Sequence, residues 1–283
     1  MEAREYCAEL ARGESMAGTT GIVHVWVLLE YIPAWGPHAV TDNDLSAETK
    51  AWLADVPDSL PLGFNCRVLL ARQPEIDRAG VRLFIGVTTD DHPQLYRFEA
   101  ELFDDLRRIN VADVLANAQR YAEHLVVEPQ YFVCTNGQRD LCCARFGRPT
   151  YTALRELAGE RAWQVTHLGG HRFAPNVLVL PQGVLYGRVD VVEVPAFFDQ
   201  VENGQLATDW ARGRSCYTPE VQAAEIFLGG GVESGVSIET GEDSWWVRFL
   251  HGPSVNVHLG AAMDVVASCG DEKAKRVRPY EVG

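Results

Sequence analysis

The sequence predicts a protein of the α/β (α+β) class, with two similar lobes in tandem and a small β-rich extension on the C-terminal side. Three observations carry this prediction. The 283 residues are 47% hydrophobic and 23% charged, as in ordinary folded proteins that bury a sizeable core. The two halves repeat one order of strand, loop, helix, strand and hairpin at similar spacing. Beyond residue 205, short apolar runs alternate with turn residues.

The first half is expected to begin with a short helix within residues 1–20. Residues 22–31 are dense in β-branched and aromatic residues and indicate a buried central strand. Asp44 or Ser46 is expected to cap the helix that follows, which runs through about Leu53. The remaining expected elements are strands over residues 66–72 and 81–88, a hairpin strand over 96–99 and one helix over 102–125.

The second half repeats this plan around two polar loops. A strand over residues 130–134 leads into a cysteine-bearing loop, and Pro149 is expected to begin the next helix, through Leu157. A strand over 163–166 then leads into a histidine-bearing loop. The elements that complete this half are a hairpin over 176–180 and 183–189 and a helix over 192–203.

The repeated order predicts two thioredoxin-like lobes. We place an N-terminal lobe without ligand residues in 1–125, a ligand-bearing lobe in 126–205 and the extension in 206–283. The first lobe carries Pro33, Trp35 and Gly36 where the second has its cysteine loop. The elements expected in the extension are a helix over 219–228, ended by three glycines, and strands over 236–238, 244–250, 254–258 and 265–268.

Charge and hydropathy restrict the partners. The net charge of −14 argues against nucleic acid or an anionic membrane. Residues 131–190 are the exception, with seven arginines, no lysine and four acids. These arginines either form ordinary surface ion pairs, or balance an anionic cofactor, or meet an acidic partner. The longest apolar run is too short to span a bilayer and no signal peptide is visible, so a cytoplasmic location is the default expectation.

Soft metal ligands are concentrated between residues 131 and 171. Cys134, Cys142 and Cys143 form one group, and His167 and His171 form another. Thiolate and imidazole together suit iron–sulfur clusters, zinc or copper. In a cytoplasmic chain, cysteines are expected to be reduced thiols or ligands rather than a disulfide framework.

The spacing of residues within the two groups limits which kind of metal centre they could bind. A zinc ribbon needs ligand pairs two to four residues apart, whereas a longer polar stretch follows Cys134. On an extended chain Cys142 and Cys143 would face opposite sides, so one would ligate and the other would be buried, and spacing leaves that choice open. Two glycines between His167 and His171 would cost a helix about 2 kcal/mol, which favours a loop whose backbone approaches a ligand closely. This favours a sulfide-bridged iron cluster over zinc.

Residues outside these loops are assigned structural roles. Pro175 precedes the next strand, where thioredoxin-like folds often hold a cis proline. The cysteines and histidines that show no partner spacing are Cys7, Cys66, Cys216, Cys269, His251 and His258.

The segments CTNGQRDLCCARFGRPTY and WQVTHLGGHRFAPNVLVLPQGVLYGRV resemble the sucrase/ferredoxin-like family, a branch of thioredoxin-like ferredoxins. The resemblance covers most of the chain, with weaker echoes in CAEL, LLEY…WG and SCG. It implies a 2Fe–2S cluster with two cysteines on one iron and two histidines on the other. Carried over residue by residue, the ligands are Cys134, Cys143, His167 and His171, and Cys142 falls at a non-ligand position.

Such a cluster implies an electron carrier rather than an enzyme, with an unidentified reductase or acceptor as redox partner. Neutral histidine ligands predict a higher reduction potential than four cysteines would, and their free ring nitrogens predict proton-coupled redox. Two alternatives stay open: a zinc-binding structural or interaction module, and a thiol-dependent redox enzyme that uses Cys134 or Cys143. The residues expected to surround the ligands are Arg139, Arg145, Arg148, Arg172, Gly169 and Gly170.

Overall fold

A nine-stranded mixed sheet organises the protein, with a four-stranded and a two-stranded sheet on its C-terminal side. The computed structural model describes residues 5–231, 234–250, 252–271 and 273–283, so His251 lies outside the described residues. The mixed α+β class expected from the sequence is confirmed. Within the described ranges, no helix combines the length and the apolar character that crossing a membrane requires.

The elements of the large sheet and their helices follow the chain in order. The strands are β1 Val25–Glu30, β2 Cys66–Arg72, β3 Val81–Val87, β4 Gln94–Ala100, β5 Gln130–Cys134, β6 Ala162–Val165, β7 Val177–Leu180, β8 Val184–Tyr186 and β9 Ala211–Arg214. The helices are α1 Cys7–Leu10, α2 Ala47–Ser59, α3 Phe103–Leu106, α4 Val111–Ala116, α5 Leu141–Ala158, α6 Val194–Glu202 and α7 Pro219–Phe227.

Strand order repeats between the two halves of the large sheet, which reads β4-β3-β1-β2-β6-β5-β7-β8-β9. In the first half β1 is parallel to β2 and antiparallel to β3. In the second half β5 is likewise parallel to β6 and antiparallel to β7. The halves join through a short antiparallel pairing of β2 with β6, at Ala71↔Val165 and Arg72↔Gln164. The two halves of the chain therefore contribute to one continuous sheet.

Three apolar clusters stabilise this sheet. One lies on the first half and includes Val27 with Leu53 of α2, and one lies on the second half and includes Val133 with Leu154 of α5. The third joins the opposite faces of both halves, where the Phe84 ring packs edge-on against Trp163 at a centroid distance of 5.0 Å. Alternating side chains of a strand point to opposite faces, so β1 and β5 each contribute to two clusters, and both strands are buried throughout.

Several predicted helices have different bounds. The helix expected within residues 1–20 is limited to α1. The single helix expected over 102–125 was wrong, because α3, α4 and the 3₁₀ segment Ala118–His124 replace it. Asn110 starts α4 anew by accepting a hydrogen bond from the Asp113 backbone N–H at 3.1 Å.

The start predicted for α5 was also wrong. The helix begins at Leu141, so Pro149 lies inside it and does not open it. Asp140 is the N-cap, since its Oδ1 accepts a hydrogen bond from the Cys142 N–H at 2.9 Å. Cys142 and Cys143 consequently lie on a helical turn, and the extended geometry assumed for them does not occur.

The C-terminal region is richer in strands than its sequence predicts. β9 lies beyond the boundary placed at residue 205 and extends the large sheet by pairing with β8. The strand expected over 265–268 lies instead at Met263–Val265, and two further strands follow within residues 275–282. The remaining strands are β10 Val236–Thr240, β11 Ser244–Phe249, β12 Ser254–Leu259, β13 Met263–Val265, β14 Lys275–Val277 and β15 Tyr280–Val282.

Candidate metal centre

Four of the predicted ligand residues meet at one edge of the large sheet. Cys134 is the last residue of β5, and Cys143 lies in the first turn of α5. His167 follows the end of β6, and His171 opens the 3₁₀ turn His171–Phe173. Because β5 and β6 are parallel neighbours, their carboxyl ends bring the cysteine and histidine segments together.

The donor atoms are close enough to share a metal centre. The ligand atoms of Cys134, Cys143 and His167 all lie within 4.8 Å of one another. The Cys143 Sγ lies 3.7 Å from Nδ1 of His171. The rings of His167 and His171 stack with their centroids 4.1 Å apart and an interplanar angle of 14°. The two thiols and the two imidazoles thus form adjacent pairs.

Burial and hydrogen bonds shift the pKa values of the two thiols in opposite directions. The side-chain hydrogen bond with Cys143, followed by the contact with His167, holds the pKa of Cys134 well below its usual value. The same hydrogen bond, with burial, raises the pKa of Cys143 well above it. Cys134 is therefore the thiolate of the pair, and metal binding would displace the proton that Cys143 keeps.

His171 is held in the neutral form that binds metals. Burial, together with the neighbouring His167, lowers the pKa of His171 to about 4. Nδ1 of His167 faces the Gly169 backbone N–H at 3.4 Å. Nδ1 of His171 faces the Cys143 sulfur, so Nε2 is the ring nitrogen of His171 left to exchange a proton.

Two arginines that were not anticipated hold the histidine loop. Arg67 of β2 donates to the carbonyl of His167 and to that of Leu168, the latter at 2.7 Å. Arg212 of β9 donates to the Gly169 carbonyl at 2.9 Å. Arg212 is buried and Arg67 is half-buried, and within the described ranges neither guanidinium forms an ion pair with a carboxylate. No sequence signal near the ligands identifies them, because they come from distant strands.

Backbone conformation requires glycine at both positions of the histidine loop, and packing against Arg212 also requires it at Gly170. Gly169 and Gly170 adopt φ values of +91° and +70°, in the left-handed region that glycine occupies readily. A Cβ at Gly170 would also lie 2.5 Å from Nη2 of Arg212. The glycines therefore let the loop turn sharply and let Arg212 pack against its backbone.

The arginines that were expected to surround the ligands have different positions and partners in the structure. Arg172 forms a bidentate ion pair with Glu14, with both distances 2.7 Å, and stacks on Phe173. Arg145 lies over the Tyr6 ring, with its guanidinium carbon 4.6 Å from the centroid. Arg148 is exposed on the outer side of α5. Arg139 lies nearest, since it lines the depressions beside both histidines.

The site opens to solvent on two sides. A depression of about 340 Å³ beside His167 is lined by Arg67 and Arg139. A second, of about 430 Å³, lies beside His171 and includes Arg139, Arg172, Lys275 and Asp271. The ligand group is thus buried but lies close beneath a mainly basic surface.

Cys142 does not join this group. Its sulfur lies 3.5 Å from that of Cys7 and 3.2 Å from that of Cys269, so the fold brings together three thiols that sequence spacing left unconnected.

Pro175, at the start of the segment leading to β7, has the cis peptide bond expected there.

Comparison with known proteins identifies the family. The profile described as sucrase/ferredoxin-like matches residues 16–213, which include both ligand loops and most of the large sheet. The chain belongs to the sucrase/ferredoxin-like family. The matched part of this family member ends in β9, so α7 and the small sheets lie outside it.

One similar curated protein is "Altered inheritance of mitochondria protein 32" of the yeast Meyerozyma guilliermondii. It is 25% identical over 135 residues, an alignment that covers 44% of this chain and 46% of the relative. The chain therefore matches about half the length of that relative. No solved structure matches this family member.

Proposed function

We propose that this protein is an electron-transfer protein that binds a 2Fe–2S cluster through Cys134, Cys143, His167 and His171. The observation that carries the proposal is the convergence of two buried thiols and two stacked imidazoles at the carboxyl ends of β5 and β6. We also propose that each half is a thioredoxin-like lobe, which the repeated strand order supports.

The chemistry of the donor set fits the cluster. Thiolate and imidazole are soft and borderline ligands of the kind that iron–sulfur centres use, including centres with two histidines. Cys134 and Cys143 supply the charged ligands, and His167 and His171 supply neutral ones. A cluster bound here would accept and release one electron at a time.

The surrounding residues favour the reduced state. Imidazole adds no negative charge, and centres with two histidines reach roughly −150 to +300 mV, against about −400 mV for plant-type ferredoxins. Arg67, which is half-buried, and Arg212, which is buried, place two positive charges against the histidine loop. An added electron is stabilised by these charges, which raises the reduction potential further.

A redox partner with an acidic face would suit the opening beside His171. Arg139 and Lys275 are exposed there, around a side chain that is 14% exposed. Basic groups around the opening attract an acidic surface at low ionic strength. Such docking would bring a partner's redox centre close to the histidine pair.

Anaerobic purification followed by visible spectroscopy and metal analysis tests the proposal. We expect a coloured protein with about two iron ions per chain and, after reduction, a paramagnetic signal from one unpaired electron. A zinc-binding module is the second candidate, because donors within 4.8 Å of one another also suit one tetrahedral ion. A colourless protein that carries zinc at these four residues would contradict the cluster and favour that module. A metal-free protein with a reactive Cys134 thiolate would favour a thiol-dependent enzyme.

Replacing His167 with cysteine is expected to keep the cluster and lower its reduction potential. The substitution exchanges a neutral ligand for a charged thiolate, and it removes one of the two imidazoles that can couple electron and proton transfer. Protein-film voltammetry between mildly acidic and alkaline pH measures both effects, with the exposed-site variant His92→Cys as control. An unchanged potential in His167→Cys would exclude His167 as a ligand, and a potential independent of pH in the parent protein would exclude proton coupling.

A further inference from the structure

The thiols of Cys7, Cys142 and Cys269 form a second group on the other side of the α5 N-terminus. The three Sγ–Sγ distances are 3.5 Å, 3.2 Å and 3.6 Å. Their residues are separated by as many as 262 positions in the chain, yet each sulfur contacts both others. Three segments of the fold, α1, α5 and the loop after β13, therefore converge on one point.

A carboxylate completes the group. An oxygen of Asp140 lies with the three sulfurs inside a set whose members are all within 4.8 Å of one another. Asp140 is already oriented, because Oδ1 accepts from Cys142 N–H and Oδ2 accepts from Ser268 Oγ at 2.7 Å and from Cys269 N–H at 3.0 Å. These hydrogen bonds fix the donor and hold the Cys269 loop against the helix.

We propose that Cys7, Cys142, Cys269 and Asp140 form a second metal site, which binds a single tetrahedral zinc ion. Zinc–sulfur bonds of about 2.3 Å in tetrahedral geometry place the sulfurs about 3.8 Å apart, close to the observed triangle. An ion can thus be accommodated by small outward shifts of the thiols. The site is separate from the cluster proposed above and requires none of its four ligands.

The surroundings suit a structural ion. Cys7 and Cys142 are 1% and 0% exposed, and their apolar wall includes Ala8, Ala174 and Phe146. Cys269 is partly exposed and leaves an entry path on one side. Arg145 lies over the Tyr6 and Phe146 rings of this wall, with its guanidinium carbon 4.6 Å and 5.6 Å from the two ring centroids. A closed site with protein ligands alone stabilises the fold and takes no part in catalysis.

The equal spacing of the thiols favours an ion over a disulfide. A disulfide needs two sulfurs at about 2.05 Å and would leave the third thiol unpaired and buried. All three distances here are instead within 0.4 Å of one another. A tetrahedral ion uses the three thiols equivalently, and Asp140 takes the remaining position.

Metal analysis of the full chain and matched variants tests this site independently of the cluster. The protein is purified anaerobically, without chelators, from cells supplied with zinc, and zinc and iron are measured in the same sample. We expect about one zinc ion per chain in the parent protein. Cys269→Ser should lose the zinc and keep whatever iron the parent holds, whereas Cys143→Ser should keep the zinc.

The two cysteines outside both groups provide the controls. Cys66→Ser and Cys216→Ser remove partly buried thiols and should leave the zinc content unchanged. Far-ultraviolet circular dichroism confirms that each variant is folded, and Cys7→Ser repeats the test from a second segment. Zinc retained in both Cys269→Ser and Cys7→Ser would overturn the proposal. So would a parent protein that binds no zinc, or one in which mass spectrometry finds a disulfide within the group. Failure of the cluster proposal would appear separately, as absence of iron with zinc retained.

Discussion

Cys143→Ser is expected to abolish the visible absorption and the iron content, whereas Cys142→Ser should leave both intact. The two residues are consecutive, but the helical turn directs them to different groups. The Cys143 sulfur lies 3.7 Å from His171 and beside Cys134, while the Cys142 sulfur lies 3.5 Å from Cys7. Serine is nearly the same size as cysteine but is a far poorer ligand for iron, so the change tests ligation with little change in packing.

Visible spectra and iron analysis of the two variants, purified side by side, measure this difference. Cys66→Ser serves as the control for loss of a thiol elsewhere in the sheet. If Cys142→Ser lost the iron and Cys143→Ser kept it, the assignment of the two neighbours would be reversed. The comparison depends on two residues with nearly identical sequence context, so a general loss of stability cannot imitate it.

Gly147→Ala is expected to destabilise the fold and to lower iron loading together. Gly147 lies where α5 crosses the end of β5, and a Cβ there would be 2.1 Å from the Cys134 carbonyl oxygen. The backbone oxygen cannot rotate away, so α5 must shift outward and carry Cys143 away from Cys134. Overpacking of this kind costs roughly 3 kcal/mol, and the better helix propensity of alanine offsets about 1 kcal/mol of it. The net loss of roughly 2 kcal/mol should lower Tm by roughly 4–8 °C.

Thermal unfolding followed by circular dichroism, with iron analysis of the same samples, measures both effects. Gly13→Ala is the matched control, because no heavy atom lies within 4 Å of a Cβ placed at Gly13. A Gly147→Ala protein with unchanged Tm and full iron content would show that the helix can move without disturbing the ligands. It would also remove the argument that this crossing positions Cys143.

The sequence predicts strands β1 to β8 better than the helices between them. The apolar run around β1 is buried on both faces, and burial of that kind leaves a continuous hydrophobic pattern. The start of α5 was missed because Pro149 resembles a first-turn proline, whereas the capping carboxylate of Asp140 lies nine residues earlier. Short local signals compete at helix ends, and tertiary contacts decide between them.

Part of the candidate site could be predicted from the sequence, and part could not. Cys134, Cys143, His167 and His171 come from two loops of one lobe, so spacing and resemblance could group them. Arg67 lies on β2 in the middle of the large sheet and Arg212 lies on β9 at its edge, and nothing in the local sequence connects either residue to the histidine loop. The group of Cys7, Cys142 and Cys269 was missed for the same reason, since contacts between distant segments exist only in the folded chain.

Cys7, Cys142 and Cys269 come from three distant segments of the chain, so their group can form only after the four donors of the first group have been synthesised. A ribosome completes residue 171 about a hundred residues before it reaches Cys269, so all four donors of the first group exist while the second group still lacks a thiol. The small strands on either side of the third thiol are made after every strand of the large sheet. Closure of the thiol group therefore requires that α1, α5 and the loop after β13 have all reached their folded positions.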